Sequence, residues 1–254
     1  MRHFRASPEA WEKGAGQGPV SEADIAIDRM LRAELGAARP DYGWLSEETE
    51  DDPERRARRL AARRVFVVDP IDGTRAFLAG DAGFCHALAV VEDGRPTAAA
   101  VFLPARERMF EARAGGGARR DGAAIAPSAR EALEGAEALA SRAALAPESW
   151  PGGAPPVRRV FRPSLAWRLC LVAEGRFDAM ITLREAWEWD VAAGDLIARE
   201  AGARVTDARG AAPRYNRPDA RLPGLIAAAP ALHAPIMARL AGGSRKERDR
   251  APRA

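Results

Sequence analysis

The segment 65–74, with the sequence VFVVDPIDGT, constrains the fold of this chain more than any other part. Four apolar residues with high strand propensity lead directly into two aspartates, Asp69 and Asp72. Pro70 has no backbone N–H, so it should end the strand's hydrogen-bond ladder at this point. We therefore predict a buried strand whose end collects two carboxylates and the free carbonyl of Ile71.

These oxygen atoms form the kind of ligand set that Mg²⁺ prefers over zinc. Neighbouring aspartates at a strand end repel each other unless they face solvent or surround a cation. The three histidines, at positions 3, 86 and 233, lie far apart in sequence and form no competing metal motif. Gly73 and Thr74 then offer backbone N–H groups and a hydroxyl suited to phosphate. Taken alone, the same residues are also compatible with an ordinary turn.

Two further acidic segments flank this motif in the sequence. Upstream, Glu47 and Glu48 follow the residues Leu-Ser; downstream, Asp190 stands in the segment WEWDVAAG, at a predicted helix start. On its own, Asp190 fits the role of a helix N-cap equally well.

The three segments, in this order, resemble the inositol monophosphatase superfamily, whose pattern reads G/S-E-E, then D-P-I/L-D-G-T, then W-D-x-A-A-G. The resemblance covers roughly residues 10 to 240. It implies an α/β (α+β) fold, a layered αβαβα sandwich of the type shared with fructose-1,6-bisphosphatase. It also implies a Mg²⁺-dependent phosphomonoesterase that uses metal-activated water and two or three ions per site. Homodimers are common among such proteins.

The resemblance assigns roles to particular residues. As metal ligands it implies Glu47, Asp69, the Ile71 carbonyl, Asp72 and Asp190. As residues that orient or deprotonate the attacking water it implies Asp24, Glu47 and Thr74. As substrate-binding residues it implies Asp72, Gly73, Thr74, Arg75, Arg168 and Asp190. Asp24 has a second interpretation, as the fourth residue of a capping box that begins at Ser21.

Within this superfamily the chain is most similar to bacterial 3′(2′),5′-bisphosphate nucleotidases. Glu188 before Trp-Asp, Arg168 in the segment WRLCLVAEG, and the segment 215–217 (YNR) resemble nucleotidase motifs. We therefore expect hydrolysis of 3′-phosphoadenosine 5′-phosphate to AMP and phosphate, with Arg168 binding the second phosphate. Arg168 also fits a solvated helix face. The alternatives are an inositol-1-monophosphatase and a histidinol-phosphate phosphatase, and the segment 75–77 (RAF) does not decide among them.

The chain length and patterning indicate two halves. Residues 20–38 predict a helix that begins near Ser21, with an apolar stripe that includes Met30, and the segments 65–68, 87–91 and 98–102 predict strands. Helices are predicted over 165–175 and 191–201. The Pro-rich segment 147–156 predicts a loop between an N-terminal half, 1–146, and a C-terminal half, 157–240. Cys85 and Cys170 lie in apolar sequence and predict buried free thiols.

Charge distribution argues against a nucleic-acid partner. Removing the five basic and two acidic residues of the tail, 241–254, from the totals of 39 and 36 leaves 34 of each sign. The tail is predicted to be a disordered basic end, with contact to a polyanion or to the inner membrane surface as the alternative. The N-terminus has no signal-peptide core and no long apolar segment follows, so we expect a cytoplasmic protein without an integral membrane segment. An inactive scaffold would have lost a ligand, and none is missing here.

Overall fold

The larger of two main sheets carries the N-terminal part of the chain. In this computed structural model, which describes residues 1–14 and 18–242, the sheet has seven strands in the order β3-β4-β5-β6-β7-β8-β9. Strands β3 and β4 are parallel, and every later pair is antiparallel. Their bounds are β3 Gly43–Ser46, β4 Arg64–Asp72, β5 Cys85–Glu92, β6 Arg95–Leu103, β7 Arg108–Arg113, β8 Ala118–Arg120 and β9 Ala123–Ala124. The three predicted strands are therefore confirmed.

The second main sheet has five short strands in the order β11-β10-β12-β16-β14. Their bounds are β10 Glu137–Ala140, β11 Arg158–Val160, β12 Ala179–Thr182, β14 Arg204–Thr206 and β16 Leu225–Ala228. Two antiparallel ribbons complete the strands: β1 Ala10–Lys13 with β2 Gly18–Ser21, and β13 Ala186–Trp187 with β15 Arg221–Leu222.

Helices separate and cover these sheets. The bounds are α1 Glu22–Ala38, α2 Pro53–Ala61, α3 Thr74–Leu78, α4 Leu165–Ala173, α5 Glu188–Glu200 and α6 Pro230–Leu240. Helix α1 packs on the outer face of the large sheet, α4 and α5 lie between the sheets, and α6 covers the second sheet. The order helix, sheet, helices, sheet, helix is the predicted αβαβα sandwich.

Alternation along the short strands explains why the second sheet is buried on both faces. Leu139 and Met180 point into the core shared with α4 and α5, whereas Ile181 and Ile226 point into the core under α6. Because side chains alternate with a period of two, a strand of four residues can serve both cores.

Helix α1 confirms one prediction and corrects another. Ser21 precedes it, and the Asp24 carboxylate accepts hydrogen bonds from the Ser21 backbone N–H and hydroxyl, at 2.9 and 2.5 Å. The predicted apolar stripe is wrong in part: Met30 is 50% exposed, and the buried positions include Asp24 and Asp28. Asp28 is buried because Ser46 and Thr49 donate hydrogen bonds to its carboxylate. The helix therefore turns a polar side towards the end of β3 and the residues that follow it.

The Pro-rich loop 147–156 connects β10 to β11, which are neighbours in one sheet. The second sheet thus begins at Glu137, before this loop, and strands alternate with helices after it. Division of the chain into halves 1–146 and 157–240 stays a prediction. The predicted disordered tail falls almost wholly on residues 243–254, which lie outside the described residues. Over the described ranges, no helix is both long enough and apolar enough to span a bilayer.

Candidate metal centre

The parallel pairing of β3 with β4 places the first two acidic residues side by side. Ser46 is in register with Val68, and the next residue, Glu47, donates its backbone N–H to the Val68 carbonyl at 3.2 Å. Glu47 and Asp69 therefore leave adjacent strands at the same edge, where β-strand geometry holds neighbouring chains about 4.8 Å apart.

An irregularity in the pairing of β4 with β5 positions the next carboxylate. Asp69 pairs with Ala87, the register then shifts, and pairing resumes between Asp72 and Cys85. The prediction that Pro70 ends the ladder is thus only partly correct, because the strand passes over the proline and continues. The bulge takes Pro70 and Ile71 out of the β-ladder, and the Pro70 carbonyl oxygen lies 2.5 Å from His86 Nδ1.

Asp69 is an acid of this cluster whose carboxylate is enclosed by the protein. It is 1% exposed, and neither carboxylate oxygen has a hydrogen-bond partner among the described residues. Oxygen atoms of Glu47, Asp69 and Asp190 all lie within 4.8 Å of one another. Burial, followed by the charges of Glu47 and Asp72, raises the pKa of Asp69 well above its usual value. A buried carboxylate without a donor, facing two other acids, fits a divalent cation bound through oxygen ligands.

Asp72 is held by the first turn of α4. The Ser164 hydroxyl and the Ala166 backbone N–H donate to the same Asp72 oxygen, each at 2.6 Å. The Ser164 hydroxyl also accepts the Trp167 N–H, so it caps the helix and orients Asp72 at once. Burial raises the pKa of Asp72 to about 6, against the effect of these donors. Ser164 was missed in the sequence, although a serine before a helical segment is a recognisable N-cap signal.

Asp24, Thr74 and Ile71 meet on the other side of the cluster. The Thr74 hydroxyl lies 3.2 Å from Asp24 Oδ1 and 3.1 Å from the Ile71 carbonyl oxygen, and these two acceptors share its single proton. Asp24 is fully buried, and burial raises its pKa although Ser21 and Thr74 donate to it. Asp24 therefore both belongs to the capping box of α1 and contacts Thr74.

Gly73 joins β4 to α3 in a conformation reserved for glycine. Its φ is +102°, and an added Cβ would lie 3.1 Å from the Gly83 carbonyl oxygen. Arg75, two residues on, is exposed, and its guanidinium lies 3.4 Å from the position that a Cβ at Gly18 would occupy.

Lys13 supplies a cation that no sequence motif predicted. Its ammonium lies 2.9 Å from Glu47 Oε1 and 2.6 Å from Glu48 Oε1, with only 13% of its side chain exposed. Although burial lowers the pKa of Lys13, the two glutamates raise it above its usual value overall. Burial also raises the pKa of Glu48 to about 7, against the opposing effect of Lys13. Nothing in the local sequence pattern links Lys13 to residues more than 30 positions away.

Asp190 lies in the first turn of α5. The N-cap of this helix is Trp187, so the N-cap interpretation of Asp190 is wrong. Burial and the charges of Asp72 and Glu47 raise the pKa of Asp190 well above its usual value, whereas Arg184 and Lys13 lower it. Arg184 is exposed and was missed in the sequence analysis.

Arg168 does not form a solvated helix face, because only 6% of the residue is exposed. Its Nε donates to the Arg162 carbonyl at 2.5 Å, and its guanidinium stacks over the Phe161 ring at 4.7 Å. Burial lowers the pKa of Arg168 to about 10, and the charge of Asp72 opposes this shift. In this arrangement the side chain supports the segment that precedes α4.

The nucleotidase-like residues Glu188 and 215–217 contact one another. The buried Glu188 carboxylate accepts the backbone N–H groups of Asn216 and Arg217, at 2.6 and 3.0 Å. Burial raises the pKa of Glu188 to about 7. Arg59, 1% exposed, donates to the Asn216 side chain and, through two nitrogens, to Asp51. We call this connection from Asp51 through Arg59 and Asn216 to Glu188 the Arg59 clamp.

Comparison with known proteins places this geometry in context. The inositol monophosphatase family matches residues 1–244. An inositol-1-monophosphatase of Rhizobium meliloti is 36% identical over 75% of this chain and 73% of its own length. A histidinol-phosphatase of Mycobacterium tuberculosis is 32% identical over 89% of this chain and 85% of its own. The solved structure of a Thermotoga maritima IMPase superposes with a TM-score of 0.80 at 26% identity, over 95% and 90% of the two chains.

Proposed function

Because the chain belongs to the inositol monophosphatase family of phosphatases, we propose that it is a Mg²⁺-dependent hydrolase of a small phosphomonoester. The observation that carries this proposal is Asp69, whose buried carboxylate has no donor among the described residues and lies against Glu47 and Asp190. The ligands we assign are Glu47, Asp69, the Ile71 carbonyl, Asp72 and Asp190.

The residues of the chain have separate tasks in this proposal. Bound Mg²⁺ would neutralise phosphate charge and lower the pKa of a coordinated water. Thr74, whose hydroxyl contacts Asp24 Oδ1, would accept the proton of the attacking water as its own proton passes to Asp24. The raised pKa of the buried Asp24 suits this acceptor role. Gly73 and Thr74 would hold phosphate oxygens through their backbone N–H groups.

For the substrate, we propose 3′-phosphoadenosine 5′-phosphate, which the enzyme would convert to AMP and phosphate. The contact between Glu188 and residues 216–217 supports this choice, because it joins two segments that each resemble a nucleotidase motif. The guanidinium of Arg168 is committed to a backbone carbonyl and to Phe161. Arg184, exposed and acting on Asp190 through its charge, is therefore a better placed cation for a second phosphate.

Histidinol phosphate is the second candidate. The histidinol-phosphatase relative aligns over 89% of this chain, a larger share than the inositol-1-monophosphatase does. Inositol 1-phosphate is the third candidate, because the other relative is named as an inositol-1-monophosphatase. The homodimer, the cytoplasmic location and a peripheral membrane contact stay predictions.

A phosphate-release panel tests the function and the substrate together. With Mg²⁺ present, 3′-phosphoadenosine 5′-phosphate, histidinol phosphate and inositol 1-phosphate are compared at equal concentration. We expect the highest kcat/KM for the bisphosphate and a loss of all activity when the metal is chelated. A higher kcat/KM for either monophosphate would overturn the substrate, and activity in excess chelator would overturn the metal dependence.

A further inference from the structure

A second concentration of charge lies apart from the acidic cluster. A cavity of about 400 Å³ opens beside the ends of β6, β7 and α4, and we call it the arginine pocket. Four arginines line it: Arg106, Arg108, Arg120 and Arg176. None of the residues assigned to the metal centre takes part, and Glu174 is the lining residue that carries a negative charge.

Few of the available hydrogen-bond donors in this pocket are used within the protein. Arg106 Nε donates to the Ala82 carbonyl, Arg108 Nη1 to Asp121, and Arg120 Nη1 to Glu174. A guanidinium carries five N–H donors, so each of these arginines keeps several.

Arg120 and Arg176 both have hydrogen-bond donors without a partner among the described residues. Arg120 Nε is buried, forms no hydrogen bond in the described part of the chain and lies 3.8 Å from Asp121 Oδ2. The Arg176 side chain forms neither a hydrogen bond nor an ion pair with any described residue, and Arg176 is exposed at the rim. Arg176 therefore offers all the N–H donors of its guanidinium to a ligand in the pocket.

The charge balance indicates the sign and size of that ligand. Asp121 and Glu174 offset two of the four positive charges. An excess of two positive charges around one cavity attracts anions, and planar guanidinium groups match phosphate oxygens in pairs. The volume of about 400 Å³ lies in the range of small-molecule pockets.

One wall of the pocket is already ordered. The Arg106 guanidinium lies 4.7 Å from the centroid of the Trp167 ring, and Trp167 is 6% exposed. This cation–π contact, together with the bond to Ala82, holds Arg106 before any ligand arrives and lowers the entropy that binding would cost.

We propose that the arginine pocket is an anion-binding site, separate from the metal centre, for a small oligophosphate that carries two or more phosphoryl groups. The proposal does not depend on the substrate of the phosphatase. Metal-free protein offers a clean test, because without a cation the carboxylates at the metal centre repel anions.

The experiment is calorimetric titration of inorganic pyrophosphate into the metal-free full-length protein at low ionic strength. We expect one binding event per chain that weakens with added salt. Arg176→Ala and Arg106→Ala should each weaken binding about tenfold, since each removes charge-assisted hydrogen bonds. Arg176→Glu should abolish it, and because Arg176 is exposed and its side chain forms no hydrogen bond or ion pair with a described residue, this variant should keep the wild-type unfolding temperature.

Arg209→Ala is the matched control, because Arg209 is an exposed arginine in a different loop. It should bind pyrophosphate like the wild type. Absence of a binding event would overturn the proposal. So would binding that survives in Arg176→Glu, or that falls equally in Arg209→Ala and the pocket variants.

Discussion

The two carboxylate oxygens of Asp69, which have no partner among residues 1–14 and 18–242, make this residue a net cost to the metal-free fold. Asp69→Asn keeps the volume and removes the charge, so the metal-free protein should become more stable by about 1–3 kcal/mol. Turnover should fall by at least about a hundredfold, because an assigned metal ligand is lost. Chemical unfolding in chelator and phosphate release in saturating Mg²⁺ measure the two effects. Turnover near the wild-type value would refute the assigned role of Asp69.

Gly73 tests the backbone at the same site. Gly73→Ala should destabilise the protein by about 1–2 kcal/mol for the left-handed conformation, and further because its Cβ would press on the Gly83 carbonyl. Gly117→Ala is the control, since Gly117 also has positive φ, +72°, but nothing lies within 4 Å of its Cβ position. Thermal unfolding of both variants should show a larger loss at Gly73. Equal losses would mean that close packing there contributes nothing.

The resemblance carried by the three ordered motifs implied that Glu47, Asp69 and Asp190 would gather, and they do. The same information did not predict Lys13, because an ion pair between distant residues leaves no local trace in the sequence. Arg168 was assigned to the substrate on resemblance alone. Its burial depends on where the loop before α4 runs, and the sequence of the helix does not determine that path.

The Arg59 clamp joins three elements that carry or flank metal ligands. Asp51 follows the Glu47 strand, Arg59 belongs to α2, and Glu188 begins the helix that carries Asp190. Arg59→Met should lower the free energy of unfolding by about 2–4 kcal/mol, because a buried guanidinium network is broken. We also expect weaker Mg²⁺ activation with kcat restored at saturating metal, since the ligands would be held less accurately but not removed.

Arg56→Met is the control for this element. Arg56 pairs with the same Asp51 at 2.9 Å, but 45% of its side chain is exposed. Exposed pairs contribute roughly 0–1 kcal/mol, so stability and Mg²⁺ dependence should change little. Mg²⁺ titrations and unfolding curves of both variants decide the matter, and similar results for the two would argue against a positioning role for the clamp.

At the scale of the whole molecule, buried acids set an unusual pH dependence. Burial raises the pKa of Glu188 and of Glu48 to about 7, and of Asp72 to about 6. Between the unfolded and folded pKa values the folded state binds more protons, so its stability falls as pH rises. For Glu188, a rise from 4.5 to about 7 corresponds to about 3 kcal/mol. His86 and His233, whose pKa values burial lowers, oppose this trend below about pH 6.5.

The metal-free protein should therefore lose stability from about pH 5 to pH 8, because the raised carboxyls outnumber the two histidines. Saturating Mg²⁺ should flatten the profile, since the cation stabilises the charged carboxylates. Urea unfolding across this range, with chelator and with Mg²⁺, measures both curves. If the free energy of unfolding of the metal-free protein rose with pH, this result would contradict the burial of these acids.

The layered fold was predictable because strand patterns and ordered motifs together admit few arrangements. The position at which the chain passes from one sheet to the other could not be predicted. Strand β10 precedes the Pro-rich loop yet pairs with β11 and β12 beyond it. Its four residues, EALA, carry no signal of their partners, because strand pairing is determined by tertiary contacts.

The two buried cysteines make the interior accessible to kinetic measurement. Cys85 lies on β5 with its sulfur 3.2 Å from the hydroxyl of Ser164, and Cys170 lies on α4, both without measurable exposure. Burial raises the pKa of both thiols, so the reactive thiolate forms only when the chain opens locally. Slow alkylation of the native protein is then limited by the fraction of time that these thiols spend in open conformations. The labelling rate of Cys85 thus reports how often the first turn of α4, which also holds Asp72, separates from the large sheet.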